Sequence, residues 1–444
     1  MKVKILILFV FLALPSYAQI KEDMALTLND CLRIAVDNNH DYKQSLLNKE
    51  KADEQVWEAY GTSLFPKISG SINYNRTFEK PVFVFEMNGI PNTMVLGADN
   101  SLTASVTFEQ PLFTGAMFLA VNIAKTYAEI ANQLLQYSET DLIMQVKEGY
   151  YTYLLANEFV QLAELQLNRA DENLKSAKSF YEAGLIAEYD YIKANVQYQN
   201  SIPALTESKN QASLAKNNLR LLLGLEQGAE FSIIGSLQLK DAALDAAAVT
   251  VNDVMNRNNL VRQKELETEL QGLVAKYEFT KHLPELAAFG NWQAQAQEND
   301  TKSFNRWAYP NSYSVGLSLK IPIFNGFSIN SKVQQAEIDL MKSEEGLSKI
   351  KKEISNALEN VVLQIKKSEE QIAAYKVAVE QAERGYDISV KRFNSGLGTQ
   401  LEVTNSLVEL TGTKVNYLQS IHQYYVYSAR LDQLLGKKLN DSLK

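Results

Sequence analysis

The chain has 444 residues, 46% hydrophobic and 22% charged, with 20 Gly, 9 Pro and one Cys. This balance supports a buried core and excludes a disordered, collagen-like or disulfide-stapled protein. Residues 1–18 (MKVKILILFVFLALPSYA) place Lys2 and Lys4 before an apolar run and end in Ser16-Tyr17-Ala18, the pattern of a signal peptide and its cleavage site. Without that leader, 42 basic side chains face 52 acidic ones, a formal charge of −10 that argues against nucleic acid as a partner.

Several chemistries are excluded next. A lone Cys31 forms no intrachain disulfide and no CxxC metal or redox site, so it reads as a small core residue of an amphipathic run. His40, His282 and His422 are scattered, and no HExxH, P-loop or nucleophile-elbow motif occurs, so neither an enzyme nor a cofactor or metal site is expected. Beyond residue 18 no run of about 18 apolar residues exists. Any membrane contact must therefore use strands.

The chain reads as a tandem repeat. Gln110-Pro111-Leu112-Phe113-Thr114-Gly115 recurs 211 residues later as Ile321-Pro322-Ile323-Phe324-Asn325-Gly326. Tyr181-Glu182-Ala183-Gly184-Leu185 recurs at an offset of 212 as Phe393-Asn394-Ser395-Gly396-Leu397. Asn38-Asn39 is matched by Asn258-Asn259.

The first repeat spans 19–224 and opens with a helix from Thr27 to about Tyr60. A β-hairpin at 65–114 follows, in which Ile68, Gly70, Ile72 and Tyr74 alternate with Ser69, Ser71, Asn73 and Asn75, and Leu102, Ala104, Val106 and Phe108 with Ser101, Thr103, Ser105 and Thr107. Its connection, 79–100, reads as a polar, irregular loop. A helix then covers 116–183, with Val146, Tyr153, Val160, Leu167, Leu174 and Tyr181 every seventh residue and a second row of Gly149, Ala156, Ala163, Ala170 and Ala177. That is the heptad of a coiled coil, with the large row expected to fill the space between helices that the small row lets approach closely. A helix over 185–223, bent at Pro203, ends the repeat.

Residues 225–250 have little pattern and are expected to lie against the bundle as an equatorial connector. The second repeat, 251–444, predicts a helix from Val251 to about His282, a hairpin at 284–324, a long helix at 327–395 and a helix at 397–435. Two short helices placed end to end match the length of one long helix. The long helices are antiparallel to their neighbours.

Four strands leave two raw edges, and lipid does not tolerate them. Copies must pool their strands: two give eight and a filled interior, three give twelve and room for a lumen. The polar inner faces favour three.

On these motifs the chain resembles the TolC-like outer membrane efflux proteins, over essentially the whole mature sequence. The resemblance implies an α+β membrane protein, a homotrimer whose strands complete a twelve-stranded barrel in the outer membrane of a Gram-negative cell, in contact with its lipid. Long coiled-coil helices would continue it as an α-barrel across the periplasm. It also implies a passive exit duct opened by a periplasmic adaptor (membrane fusion) protein and an inner-membrane RND or ABC-type pump. Pro111, Gly115, Pro322 and Gly326 mark the strand-to-helix junctions, and Gly184, Leu185, Gly396, Leu397 and Gly398 the adaptor-contacting tips. The family's aperture acids fall on Glu402 and Asn405, its lock aspartate on Asp190, its lock arginine on Gly398 and its lock tyrosine on Phe393. The family's polar latch is thus lost, and a ring of three Glu402 carboxylates is expected to form the constriction, the alternative being an ordinary solvated helix-surface Glu. The competing reading of the whole is a secreted coiled-coil structural or adhesion protein without channel activity.

Overall fold

A computed structural model describes residues 24–87, 89–239 and 246–442. The predicted leader, residues 1–18, lies outside the described residues. In chain order the elements are β1 (Met24–Leu26), α1 (Leu28–Asn38), α2 (His40–Ser63), β2 (Lys67–Arg76), β3 (Val82–Met87), β4 (Ile90–Val95), β5 (Asn100–Phe113), α3 (Met117–Glu182), α4 (Glu188–Leu222) and β6 (Phe231–Ile233). The second half supplies α5 (Val251–Arg257), α6 (Asn259–Thr280), β7 (Glu285–Glu298), β8 (Asn311–Lys320), α7 (Ser328–Asn394), α8 (Gln400–Leu434) and α9 (Leu439–Ser442).

The helices expected from Thr27 and Val251 are each broken in two, and both breaks have one cause. Asn39 ends α1 with ψ at 130° and caps α2, its side-chain oxygen accepting the amides of Asp41 and Tyr42. Its Nδ2 also donates to the carbonyl of Leu222 at the end of α4, at 3.0 Å. Asn258 repeats the arrangement, accepting from Leu260 and Val261 and donating to Leu434 at the end of α8, at 3.1 Å. Each carboxamide therefore serves the orphan donors of one helix and an orphan acceptor of another. Helix α4 is stacked on α2, and α8 on α6.

Lengths follow from this stacking. Helix α3 has 66 residues and α7 has 67, each a rod of about 100 Å at 1.5 Å per residue. The stacked pair α4 and α2, with 35 and 24 residues, reaches about 90 Å and runs beside α3. Helix α4 passes through Pro203 without interruption.

Glycine closes each junction. Gly224 (φ +64°) and Gly436 (φ +63°) take the left-handed conformation that ends a helix, with Leu225 N donating to Arg220 O and Lys437 N to Asp432 O. A Cβ on Gly224 would lie 2.6 Å from the carbonyl carbon and oxygen of Asn38, and one on Gly436 would lie 2.5 Å from the oxygen of Arg257.

The main core sits at this level, built from Cys31, Leu32 and Ala35 of α1, Leu142, Val146 and Tyr150 of α3, Leu219, Phe231, and Ile365, Ile421 and Leu431 of α7 and α8. Burial pushes the Cys31 thiol up to about 12, so it packs as an apolar group. Residues 225–239 lie across the bundle: β6 pairs in parallel with β1, the Tyr150 hydroxyl donates to Ile234 O and the Tyr425 hydroxyl to Gln238 O. Residues 240–245 of the expected connector lie outside the described residues. Lys147 of α3 meets Asp432 of α8 at 2.8 Å, with Lys437 at 2.7 Å from the other carboxylate oxygen.

The heptad rows divide their work differently from expectation. In α3 the large row is buried only at Val146, with Tyr153, Val160, Leu167 and Leu174 half-buried and Tyr181 exposed, whereas Ala156, Ala163, Ala170 and Ala177 of the small row are all buried. In α7 members of both rows are buried, Leu358, Ile365, Ile372, Tyr386 and Phe393 of the large row together with Val361, Ser368 and Ser389 of the second. Beyond Val146 the seam of α3 is thus lined by small side chains, and that of α7 by large and small ones together.

The segment 79–100, expected as an irregular polar loop, instead folds β3 against β4. Val82 pairs with Val95 and Met87 with Ile90, and Gly89 (φ +79°) supports the tight turn. Phe83, Phe85, Met87, Ile90 and Met94 make one exposed apolar face. The ends of the two hairpins are tied by polar contacts, Arg76 to Asp300 at 2.8 Å, Lys80 to Asn299 at 2.7 Å and Asn100 to Asp300 at 2.8 Å, while Lys80 and Asp99 pair within the first at 2.9 Å.

Three outcomes test this account. Gly224→Ala should cost more than about 2 kcal/mol, from left-handed strain plus collision with a neighbouring backbone, whereas Gly184→Ala, at similar φ but in open space, should cost about 1 kcal/mol; urea denaturation followed by circular dichroism measures both. Asp432→Asn should destabilise by about 3 kcal/mol by leaving Lys147 uncompensated, and Lys147→Met combined with Asp432→Leu should recover much of it in the same assay. His422, half-buried beside the Thr152 hydroxyl at 3.0 Å, is held neutral by burial, its pKa below the ordinary 6.5. The folded state then binds fewer protons than the unfolded chain below that pH, so stability falls on acidification. The drop in Tm between about pH 7.5 and about pH 5.5 should be smaller in His422→Gln.

Candidate functional site

Two regions carry functional chemistry, the four-stranded sheet and the far ends of the rods. The sheet has the order β2-β5-β7-β8, antiparallel throughout, with β5 and β7 joining the two halves of the chain. Its register puts polar residues in line across strands: Ser69, Thr107, Asn291 and Ser314; Ser71, Ser105, Gln293 and Ser312; Asn73, Thr103 and Gln295; Asn75, Ser101 and Gln297. The alternate rows place Ile68, Phe108, Gly290 and Val315 together, then Gly70, Val106, Trp292 and Tyr313, then Ile72, Ala104, Ala294 and Asn311, then Tyr74, Leu102 and Ala296. One face is thus apolar but for Asn311 at the start of β8, and the other is all hydroxyl and carboxamide over four rows. Hydroxyls bridge strands on that face, Ser69 to Thr107 at 2.6 Å and Ser71 to Ser105 at 2.9 Å.

Charge enters the polar face only at its ends, with the pair Lys67 and Glu109 one row below Ser69. There Phe289 lies over Gly316, whose missing side chain makes room for the ring. A strand of ten residues, such as β2 or β8, tilted by about 40°, rises about 25 Å, the height of an outer-membrane band. No helix among the described residues is long and apolar enough to cross a membrane.

The strands turn into rods at the expected motifs. At Pro111 the pairing of β5 with β7 shifts by a bulge, and Gly115 packs so tightly that a Cβ would meet Leu283 Cδ1 at 2.7 Å and Thr280 Cβ at 2.8 Å. Pro322 follows the end of β8, and Gly326 (φ +64°) precedes Phe327, a second left-handed residue that starts α7.

At the other end of the rods, Gly184 (φ +73°) and Gly396 (φ +72°) close α3 and α7, with Leu185 N donating to Phe180 O and Leu397 N to Arg392 O. Leu185 and Leu397 project from these turns, 71% and 75% exposed. Thr399 then caps α8 by accepting the amide of Glu402.

Gly398 is in close quarters: a Cβ there would lie 3.0 Å from Arg392 Cβ and 3.1 Å from Phe393 N. An arginine there, as the resemblance places it, would need the end of α7 to give by a few tenths of an ångström. Arg392 supplies a guanidinium instead, donating from Nη2 to Leu397 O at 3.0 Å and bringing Nε to 3.7 Å from Glu402. Phe393 is buried, edge-on to Phe180 at 5.4 Å between ring centres.

Glu402 and Asn405 share the exposed face of α8. Asp190 is half-buried in the first turn of α4, and no hydrogen bond or ion pair joins it to either of them among the described residues. The structure thus brings Glu402 to Arg392. Sequence reasoning left Arg392 without a role, because its partner is ten residues away across a turn, outside helical spacing. It also passed over Gln400, which is sealed inside the tip. The signal was there: Gln400 stands three, seven and ten residues before Val403, Leu407 and Leu410, on one helical face. No group of His, Cys, Asp and Glu able to hold a metal ion occurs among the described residues.

The family model for outer membrane efflux proteins matches residues 31–225 and 250–437. Outer membrane protein TolC of Escherichia coli is 21% identical over 406 residues, covering 90% of this chain and 80% of its own length. The alkaline protease secretion protein AprF of Pseudomonas aeruginosa is 22% identical, covering 93% of this chain and 87% of its own. Among solved structures, the CmeC outer membrane channel of Campylobacter jejuni superposes with a TM-score of 0.78 at 14% identity, covering 94% of this chain and 88% of that one. The family is one of channels and not of enzymes. The chain belongs to the outer membrane efflux protein family, and is an efflux or secretion channel of the outer membrane that extends into the periplasm.

Proposed function

We propose that three copies of this chain form a passive exit duct, a twelve-stranded barrel in the membrane above a helical tunnel, serving a tripartite efflux or type I secretion system. The observation that carries this reading is the pair of sheet edges, β2 and β8, both lined by exposed apolar side chains. On the β2 side, α2 and α4 present Leu47, Trp57, Ile192, Val196 and Leu214 outward. On the β8 side, α7 presents Ile338, Met341, Leu363, Val377 and Ile388. Joining β8 and α7 of one copy to β2, α2 and α4 of the next covers both stripes and pairs both edges in a closed ring. Twelve strands leave a lumen for the four polar rows, where eight would fill it.

Nothing in the sequence binds nucleotide, so energy comes from an inner-membrane RND or ABC-type pump through a periplasmic adaptor. Leu185 and Leu397, projecting with Gly184, Gly396 and Gly398 at the tips, are suited to meet that adaptor. Glu402 and Asn405, on the exposed face of α8, would ring the aperture, with Asp190 on the neighbouring coil. In this arrangement Arg392 partly offsets each Glu402 charge.

Planar bilayer recordings test the reading. Heat-resistant trimers from outer membranes should conduct, and a non-conducting monomer overturns the proposal. Arg392→Gln should lower the divalent-cation concentration for half block by about two- to fivefold, since an exposed pair is a weak competitor. Glu402→Gln should abolish that block, and unchanged block would place the constriction elsewhere.

A further inference from the structure

We infer that Gln400 sets how easily the helices part at the periplasmic tip, a claim that rests on the tip-gate reading above. The buried face of α8 begins Gln400, Val403, Leu407 and Leu410, at spacings of three, four and three. These are the seam positions of a coiled coil, where apolar side chains belong. The last three join Tyr386 and Phe393 in an apolar cluster that also takes Phe180, Ala382 and Val390, and that is distinct from the main core.

Gln400 occupies the seam position nearest the turn, and it is 1% exposed. Its Oε1 and its Nε2 both lack a hydrogen-bond partner. A carboxamide offers two donors and an accepting oxygen, and sealing all of them unpaired is costly because water has been given up with nothing in exchange. Polar groups elsewhere in this seam are served: the Ser389 and Ser406 hydroxyls lie 2.6 Å apart, so that one donates to the other, and each also has a carbonyl in reach, Tyr386 O for Ser389 and Val403 O for Ser406. Within this seam, among the described residues, the unmet demand is that of Gln400.

The atoms that seal Gln400 belong to its own protomer, since its burial is that of a single chain. While the tip stays packed, neither a neighbouring copy nor a docked adaptor reaches the amide. When α8 moves away from the helices beside it, water does. The amide thus favours the parted tip over the packed one, and does so without contacting solute or adaptor. In this reading Glu402 sets which ions pass, and Gln400 sets how often the path is open.

The test uses full-length protein with Gln400→Met, which keeps the volume but removes the polar atoms, and Gln400→Glu, which sharpens the demand for water. In planar bilayers the Met variant should show an open probability about tenfold below wild type, and the Glu variant one above it. Hydrogen exchange at residues 395–403 in detergent should slow in Met and quicken in Glu. A wild type that conducts beside a Met variant of equal open probability and exchange overturns the role of Gln400 and leaves the channel reading intact. A wild type that does not conduct overturns the channel reading, and the exchange rates then decide on Gln400 by themselves: equal rates in wild type and Met reject it.

Discussion

One side-chain amide satisfying two helix ends at once is the arrangement on which the length of this molecule depends. Asn39 and Asn258 each cap a helix that is starting and bind a carbonyl of one that is finishing. Short helices of 35 and 24 residues can then stand in a column beside a rod of 66 without exposing the broken backbone between them. Gly224 and Gly436 make the same demand from the other side, by letting the chain pass against the backbone of the opposing segment. The main core is assembled at this joint. From there the rods run toward the sheet in one direction and toward the tips in the other.

Much of this was legible in the sequence because it is written twice. The repeated Pro-x-Phe-x-Gly motifs located the strand-to-helix junctions, and alternation gave both faces of β2 and β5. The helix breaks at Asn39 and Asn258 were not legible. Asparagine is an ordinary residue in a helical pattern until an unpaired carbonyl arrives from nearly two hundred residues away. The β3 to β4 hairpin was missed for a different reason. Asn88-Gly89 between Val82-Phe83-Val84-Phe85 and Met94-Val95 is a hairpin signal in its own right. The polar residues flanking it, Glu79, Lys80, Asp99 and Asn100, suggested an unstructured loop, whereas Lys80 and Asp99 anchor the hairpin by pairing with each other.

At the tip the sequence identified the turns and not their electrostatics. Gly184 and Gly396 follow from local stereochemistry, so their conformations could be anticipated. The guanidinium at Glu402 came from Arg392, because the close approach that Gly398 permits brings the end of α7 against the start of α8. Charge outside and an unmet carboxamide inside then occupy the same turn of α8, two residues apart and on opposite faces. In the proposed duct, residues so close in sequence would bear on different properties of the same opening.

The uncharged polar face of the sheet has a consequence for what the proposed duct would carry. Serine, threonine, asparagine and glutamine offer donors and acceptors much as the liquid does, with no fixed charge to attract a counter-ion and no greasy surface to adsorb an apolar solute. In a closed ring of such strands, a molecule that has entered would travel in its own hydration shell and meet neither a binding well nor a barrier. Discrimination between cargoes would then be completed at the entrance, leaving the membrane-embedded part indifferent to what leaves the cell.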